Sequence, residues 1–151
     1  MLHHIRKFTK LNAHEKFLFL QAFILLGIIR IAILTRPFKQ IIRPLRHHNH
    51  MKPPQIIQLR KMKKVALVGD AIKRAAKSTP WESACLAQAL TGWRMLQKQG
   101  IPGVIYLGVC KENETNTAIK AHAWSKCGEA IITGAKGHKA FTVVSTFEWA
   151  G

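Results

Sequence analysis

Two side chains in this sequence have the types and settings that nucleophilic chemistry needs. Cys85 lies in "STPWESACLAQALTGW", residues 78–93, a few positions past what reads as a helix start. A reactive thiol needs its thiolate stabilised and a base within reach, and the partial positive charge of a helix N-terminus meets the first need. The base should be a histidine on a neighbouring element. His122, in "KAHAWSK", is the best placed of eight: six others fall in the N-terminal half, and His138 sits in a Gly/Lys loop. Period-two alternation puts His122 on the same strand face as Trp124, whose ring can wall an imidazole from water. Taken singly, Cys85 also suits a small packing residue and His122 a half-buried strand side chain.

The flanking pattern gives the elements that must position this pair. Thr79, Pro80 and Glu82 predict a helix opening at Pro80, with a capping hydroxyl, a proline at the first helical position and an acid three residues after the cap. It runs to about Gln99, where "GIPG" stops it. Ala89 and Gly92 follow Cys85 at i+4 and i+7, a shallow stripe that a strand can approach closely. Beyond Gly100 alternation replaces helical spacing. "GVIYLGVCK" (103–111), "AIKAHAWSK" (118–126), "AIIT" (130–133) and "FTVVSTF" (141–147) read as strands, joined by "ENETNT", "CGE" and "AKGHKA" as turns or loops. Helices followed by an antiparallel meander predict an α+β fold, with N-terminal helices and a cysteine-bearing helix packed on a small sheet.

The first half has a different character. Residues 1–77 hold 17 Lys and Arg against Glu15 and Asp70, whereas the remainder holds 7 against 5, within a total of +17. We expect a basic helical region over 1–78 and a catalytic core over 79–151, together forming one compact domain. "KFLFLQAFILLGIIRIAIL", residues 16–34, is interrupted by Gln21 and Arg30 and is followed by no small-residue cleavage site. It reads as a helix buried against the domain or lying on a membrane surface rather than as a span or signal peptide. Pro37 stops it. "PLRHHNHMKPP" reads as a solvated basic loop whose His47, His48 and His50 lack the carboxylate or cysteine that would complete a metal site. Residues 55–77 read as a further helix, broken near Gly69.

A cationic half can meet an acidic protein, anionic lipid or nucleic acid. With no zinc-finger spacing and no aromatic-rich RNA-binding strand, nucleic acid is not expected. Three cysteines without a C-x-x-C suggest neither a disulfide framework nor zinc, and fit the cytoplasm, with peripheral membrane contact left open to residues 17–34. Cys110, on a strand, and Cys127, at a turn, have neither a helix start nor a base beside them and read as structural.

In this order, "TPWESACLAQALTGWRMLQKQGIPGVIYLGVCK", "AHAWSKCGEAIITG" and "FTVVSTF" resemble the lasso-peptide biosynthesis B2 proteins, leader peptidases related to transglutaminase-like and papain-like cysteine enzymes. The motifs that match are P-W-x-x-x-C-L-x-x-A-L, the G-I-P and L-G-V pair, and A-H-A-W, and the likeness extends over residues 15–147. The resemblance implies a cofactor-independent cysteine peptidase that removes the leader of a lasso precursor peptide. A separate B1 protein would hold the leader, and an ATP-dependent macrolactam synthetase would take the freed core. It implies Cys85 as nucleophile, His122 as general base and then acid, Trp124 as a wall of the site, and a pocket for a threonine at the leader's penultimate position.

Where some members carry an aspartate that orients the histidine, this chain reads "IITGAKG". The orienting role then falls to Thr133, a backbone carbonyl, Glu129, Glu148 or no group. For the oxyanion hole, the Cys85 N–H is the natural first donor, with Trp81 or Gln88 as side-chain candidates. The competing reading is a non-catalytic binding module, in which the cationic half docks an acidic protein, lipid or nucleic acid beside an inert sheet; a third is a small membrane-anchored protein.

Overall fold

The computed structural model describes residues 11–49, 57–113 and 116–151. Its longest helix, α1 (Ala13–Thr35), opens with a capping box: Asn12 Oδ1 accepts from the Glu15 N–H at 2.8 Å, and Glu15 Oε2 accepts from the Asn12 N–H at 3.1 Å. Ahead of Pro37 the chain turns extended at Arg36 (φ −125°, ψ 145°), as the proline ring demands. By length and composition α1 could cross a membrane, yet it packs one face into the domain through Leu18, Ala22, Leu26 and Ile29. A short helix, α2 (Phe38–Ile42), and a short strand, β1 (Arg46–His48), follow. Then come α3 (Leu59–Ala76), α4 (Cys85–Gln97), β2 (Gly103–Asn113), β3 (Asn116–Cys127), β4 (Ala130–Thr133), a 3-10 turn (His138–Ala140) and β5 (Thr142–Trp149).

The described strands form one antiparallel sheet in the order β1-β5-β2-β3-β4, so the fold is α+β as the sequence predicts. Alternation sorts its faces. Ile105, Ala123, Cys127 and Phe147 join the helices in the main core, while Val104, Tyr106 and Trp124 form a second cluster with Phe141 and Val143 packed against it. The basic helical region and the sheet thus share one core, to which α1, α3 and α4 all contribute. Part of the expected turn, residues 114–115, and part of the expected loop, residues 50–56, lie outside the described residues.

Three local expectations are corrected. Helix α4 begins at Cys85, with Ala84 as N-cap, and not at Pro80. The Thr79 hydroxyl is engaged elsewhere, 3.1 Å from the carbonyls of both Ala76 and Trp81 and 2.7 Å from Ser83 Oγ. Glu82 pairs with Arg30 of α1 at 3.1 Å instead of folding back on a cap. Part of the supposed loop is β1, which exists through pairing with β5: His47 lies opposite Phe147 and stacks on it with ring centroids 4.9 Å apart. Nothing in the local pattern announces such a strand, because its hydrogen-bond partners come from the far end of the chain.

Nor does α3 break at Gly69. The helix runs through, and the glycine serves packing: a Cβ there would stand 2.9 Å from the carbonyl oxygen of Ile132 on β4. That oxygen belongs to backbone and cannot swing aside. Gly69→Val should therefore lower the stability to denaturant by about 1–3 kcal/mol, the usual cost of overpacking, despite the better helix propensity of the new residue. Equilibrium unfolding in urea measures it, and a variant as stable as the parent would disprove this account of the contact.

Candidate active site

Cys85 is the first residue of α4, closer to the helix end than its sequence setting suggested. The leading N–H groups of a helix have no intrahelical acceptor, and no side chain caps them here, so their partial positive charge is directed at whatever lies beside the sulfur. Behind it, Ala89 is fully buried, and Gly92 sits where a Cβ would make ordinary contact with Ser125 Oγ at 3.5 Å and Ile132 Cγ2 at 3.6 Å. The small stripe thus lets β3 and β4 lie close against α4.

His122 stands mid-strand on β3, half-buried, with its ring stacked on Trp124 (centroids 5.8 Å apart) and tilted against Phe141 (5.1 Å). Trp124 is itself stacked on Tyr106 at 5.6 Å and is 4% exposed, so the wall behind the imidazole is fixed. Burial, and secondarily the Glu129 carboxylate, push the Tyr106 hydroxyl above the usual phenol range. Tyr106 therefore remains a neutral part of that wall.

The orienting partner of His122 is the Gly134 carbonyl, 2.8 Å from Nε2. A carbonyl oxygen only accepts, so Nε2 carries the proton and the neutral ring keeps its lone pair on Nδ1. Gly134 presents this oxygen from a left-handed backbone (φ 72°), and a Cβ on it would lie 2.4 Å from the Ala123 carbonyl oxygen, so only glycine fits. Of the partners the sequence left open, the backbone carbonyl is the one seen on the ring. Thr133 does not reach it: its hydroxyl pairs with Ser125 Oγ at 2.8 Å, a buried bond that ties β4 to β3. The sequence gives little hint of this role, since a carbonyl belongs to every residue and only the fold selects one.

Cys85, Gln88, His122 and Thr133 open onto one groove of about 850 Å³. Its other wall is a face of α3, where Met62, Val65, Ala66, Gly69, Asp70 and Lys73 recur at helical spacing. The apolar periodicity that predicts a helix over residues 55–77 is the signal for this wall, but it does not say which groove the helix lines. Gln88, one turn after Cys85, donates from Nε2 to the Ser83 carbonyl at 2.8 Å and keeps a second amide N–H. Trp81 does not line the groove. Its ring packs over Gly27 and meets Phe23 edge-on at 5.2 Å, bracing the loop before α4 against α1. Among the described residues no group of three or more His, Cys, Asp or Glu is arranged to hold a metal ion.

A thiol at a helix N-terminus and a strand histidine, lining one groove beside an antiparallel sheet, are the group types that thiol-dependent acyl transfer employs. The chain belongs to the Transglutaminase-like superfamily, whose profile matches residues 26–146. That superfamily includes cysteine peptidases. No curated protein and no solved structure matches the chain significantly.

Two measurements check this geometry. Cys127 is fully buried, and burial pushes its thiol up to about 12, so at pH 8 iodoacetamide should modify Cys85 in the native protein and leave Cys127 untouched, as read by peptide mass mapping. Equal labelling of both would contradict the assigned environments. In 15N NMR, neutral His122 should show the Nε2–H tautomer, and Gly134→Ala should shift it toward a mixture, because the added Cβ cannot fit without moving the carbonyl. An unchanged tautomer in that variant would remove Gly134 from its orienting role.

Proposed function

We propose that this protein is a cysteine peptidase that cuts the leader from a ribosomally synthesised lasso precursor peptide. The observation that carries the reading is that Cys85, at the start of α4, and His122, bonded to the Gly134 carbonyl, both line a single groove. The superfamily assignment supports the chemistry, and the order of the sequence motifs supports the substrate class. The α3 wall from Met62 to Lys73 is about 16 Å long at 1.5 Å per residue, enough for about five residues of extended peptide.

In this reading His122 Nδ1 takes the Cys85 proton, and the thiolate attacks the carbonyl carbon of the leader's last residue. The Cys85 N–H and the second amide N–H of Gln88 stabilise the oxyanion as it forms. When the tetrahedral intermediate collapses, the C–N bond breaks and the imidazolium protonates the departing amine of the core peptide. Water, deprotonated by His122, then hydrolyses the thioester and releases the leader. A carbonyl fixes the direction of the ring but supplies no full negative charge, so the imidazolium is stabilised less than it would be by a carboxylate. A separate B1 recognition protein presents the leader, and the core passes on to the macrolactam synthetase.

The test is mass spectrometry of a lasso precursor incubated with the protein, with and without a leader-recognition partner. Cleavage at one bond before the core is expected. Cys85→Ala and His122→Ala should each slow it by about 10³-fold or more while leaving the circular-dichroism spectrum unchanged. Normal cleavage by Cys85→Ala would end the peptidase reading.

A further inference from the structure

Helix α1 is apolar on both sides, but the domain covers only one. Between Phe17 and Leu34 every exposed residue is a large hydrophobe: Phe17, Leu20, Ile24, Ile28, Ile31 and Leu34, each between 52% and 68% exposed. Their spacing of three or four makes one outward stripe about 25 Å long at 1.5 Å per residue. A continuous stripe of this kind costs free energy in water and marks a contact surface, unlike scattered surface leucines. Nothing in the catalytic reading uses it.

The charge around the stripe says what kind of surface it meets. Residues 16–69 hold eleven Lys and Arg and no Asp or Glu, and just past the stripe Arg36, Lys39, Arg43 and Arg46 are all exposed. A second copy would bring an equally cationic half against this one, which like-charge repulsion opposes. An anionic bilayer offers both partners at once: hydrocarbon for the stripe and phosphate headgroups for the flanking cations.

Crossing the bilayer is a different matter, because the inner face of α1 is committed. Leu18, Ala22, Leu26 and Ile29 are buried in the shared core, and ion pairs Glu15–Arg74 (3.8 Å) and Arg30–Glu82 (3.1 Å) tie the helix to α3 and to the loop before Cys85. A spanning α1 would have to strip both from the domain. We infer that α1 lies in the plane of an anionic membrane surface, with its outer stripe in the headgroup and acyl boundary and the folded domain above it.

The experiment is vesicle flotation of the full chain with phosphatidylcholine vesicles, with and without 30% phosphatidylglycerol. Binding is expected to the anionic vesicles, to weaken at high salt and to be reversed by alkaline carbonate. Because the altered residues are exposed, Leu20→Gln, Ile24→Gln and Ile28→Gln combined should keep the parent's melting profile yet lower partitioning by roughly 100-fold or more. Arg36→Glu, Lys39→Glu and Arg43→Glu combined should do so by roughly 100-fold. A tryptophan placed by Leu20→Trp should be quenched by lipids brominated near the headgroup more than by lipids brominated at the chain ends. No flotation, equal binding to neutral vesicles, resistance to carbonate or quenching at the bilayer centre would each overturn the inference. So would a dimer in light scattering that the glutamine variant dissolves, which would assign the stripe to a second copy.

Discussion

The site depends on how closely its helices approach the sheet, and at one point that approach leaves no room for a side chain. Helix α3 lies so near β4 that the Ile132 carbonyl occupies the space a side chain at position 69 would need. Helix α4 faces β3 and β4 across Gly92, where an added Cβ would come into ordinary contact with Ser125 and Ile132. Close packing of this kind is stiff: interiors resist the displacement of even a methyl group. The stiffness holds the start of α4 and the middle of β3 in a fixed relation, although Cys85 and His122 are carried on different elements. It also makes the groove, since α3 forms one wall and the chain from Ala130 to Lys136 another.

A second constraint acts within the site. His122 is held by a ring on its face and a carbonyl at its edge, and both are backed by structure that cannot easily yield. Trp124 is stacked on Tyr106 and nearly inaccessible, and Gly134 is locked in a left-handed turn against the Ala123 carbonyl. The Ser125–Thr133 hydroxyl pair, one residue before Gly134, keeps β4 joined to β3 where that turn begins. Orientation is therefore supplied by backbone geometry and packing rather than by a charged partner. Physically, direction and tautomer are preserved, while part of the electrostatic support for an imidazolium is not.

Helix α1 links this chemistry to the molecule's surface. Its inner side meets Trp81 through Phe23 and Gly27, and Arg30 pairs with Glu82, so the loop that launches α4 rests on α1. Its outer side is an apolar stripe bordered by cations. One helix thus braces the loop before Cys85 and presents a continuous exposed apolar stripe. Peripheral binding would leave the inner contacts intact, since it uses only the outer face.

Much of the architecture was legible in the sequence because it rests on local periodicity. Alternation located the four long strands within a few residues, β4 at its observed bounds, and it put His122 and Trp124 on one face. The sequence also singled out Cys85 and His122, because a thiol near a helix start and a strand histidine are recognisable by type and spacing. What it misjudged are features whose energies come from distant partners. Thr79 and Glu82 looked like a helix cap, but neighbouring carbonyls, Ser83 and Arg30 compete for them, and the helix starts at Cys85 itself. Gly69 looked like a break and is a contact; residues 46–48 looked like a loop and pair with the last strand. The sequence by itself determined which residues have the types for nucleophilic chemistry and on what kind of element each is carried. Only the tertiary structure decided that both open onto one groove and that the Gly134 carbonyl orients the imidazole, because a backbone oxygen acquires a role only from where the chain's long-range packing puts it.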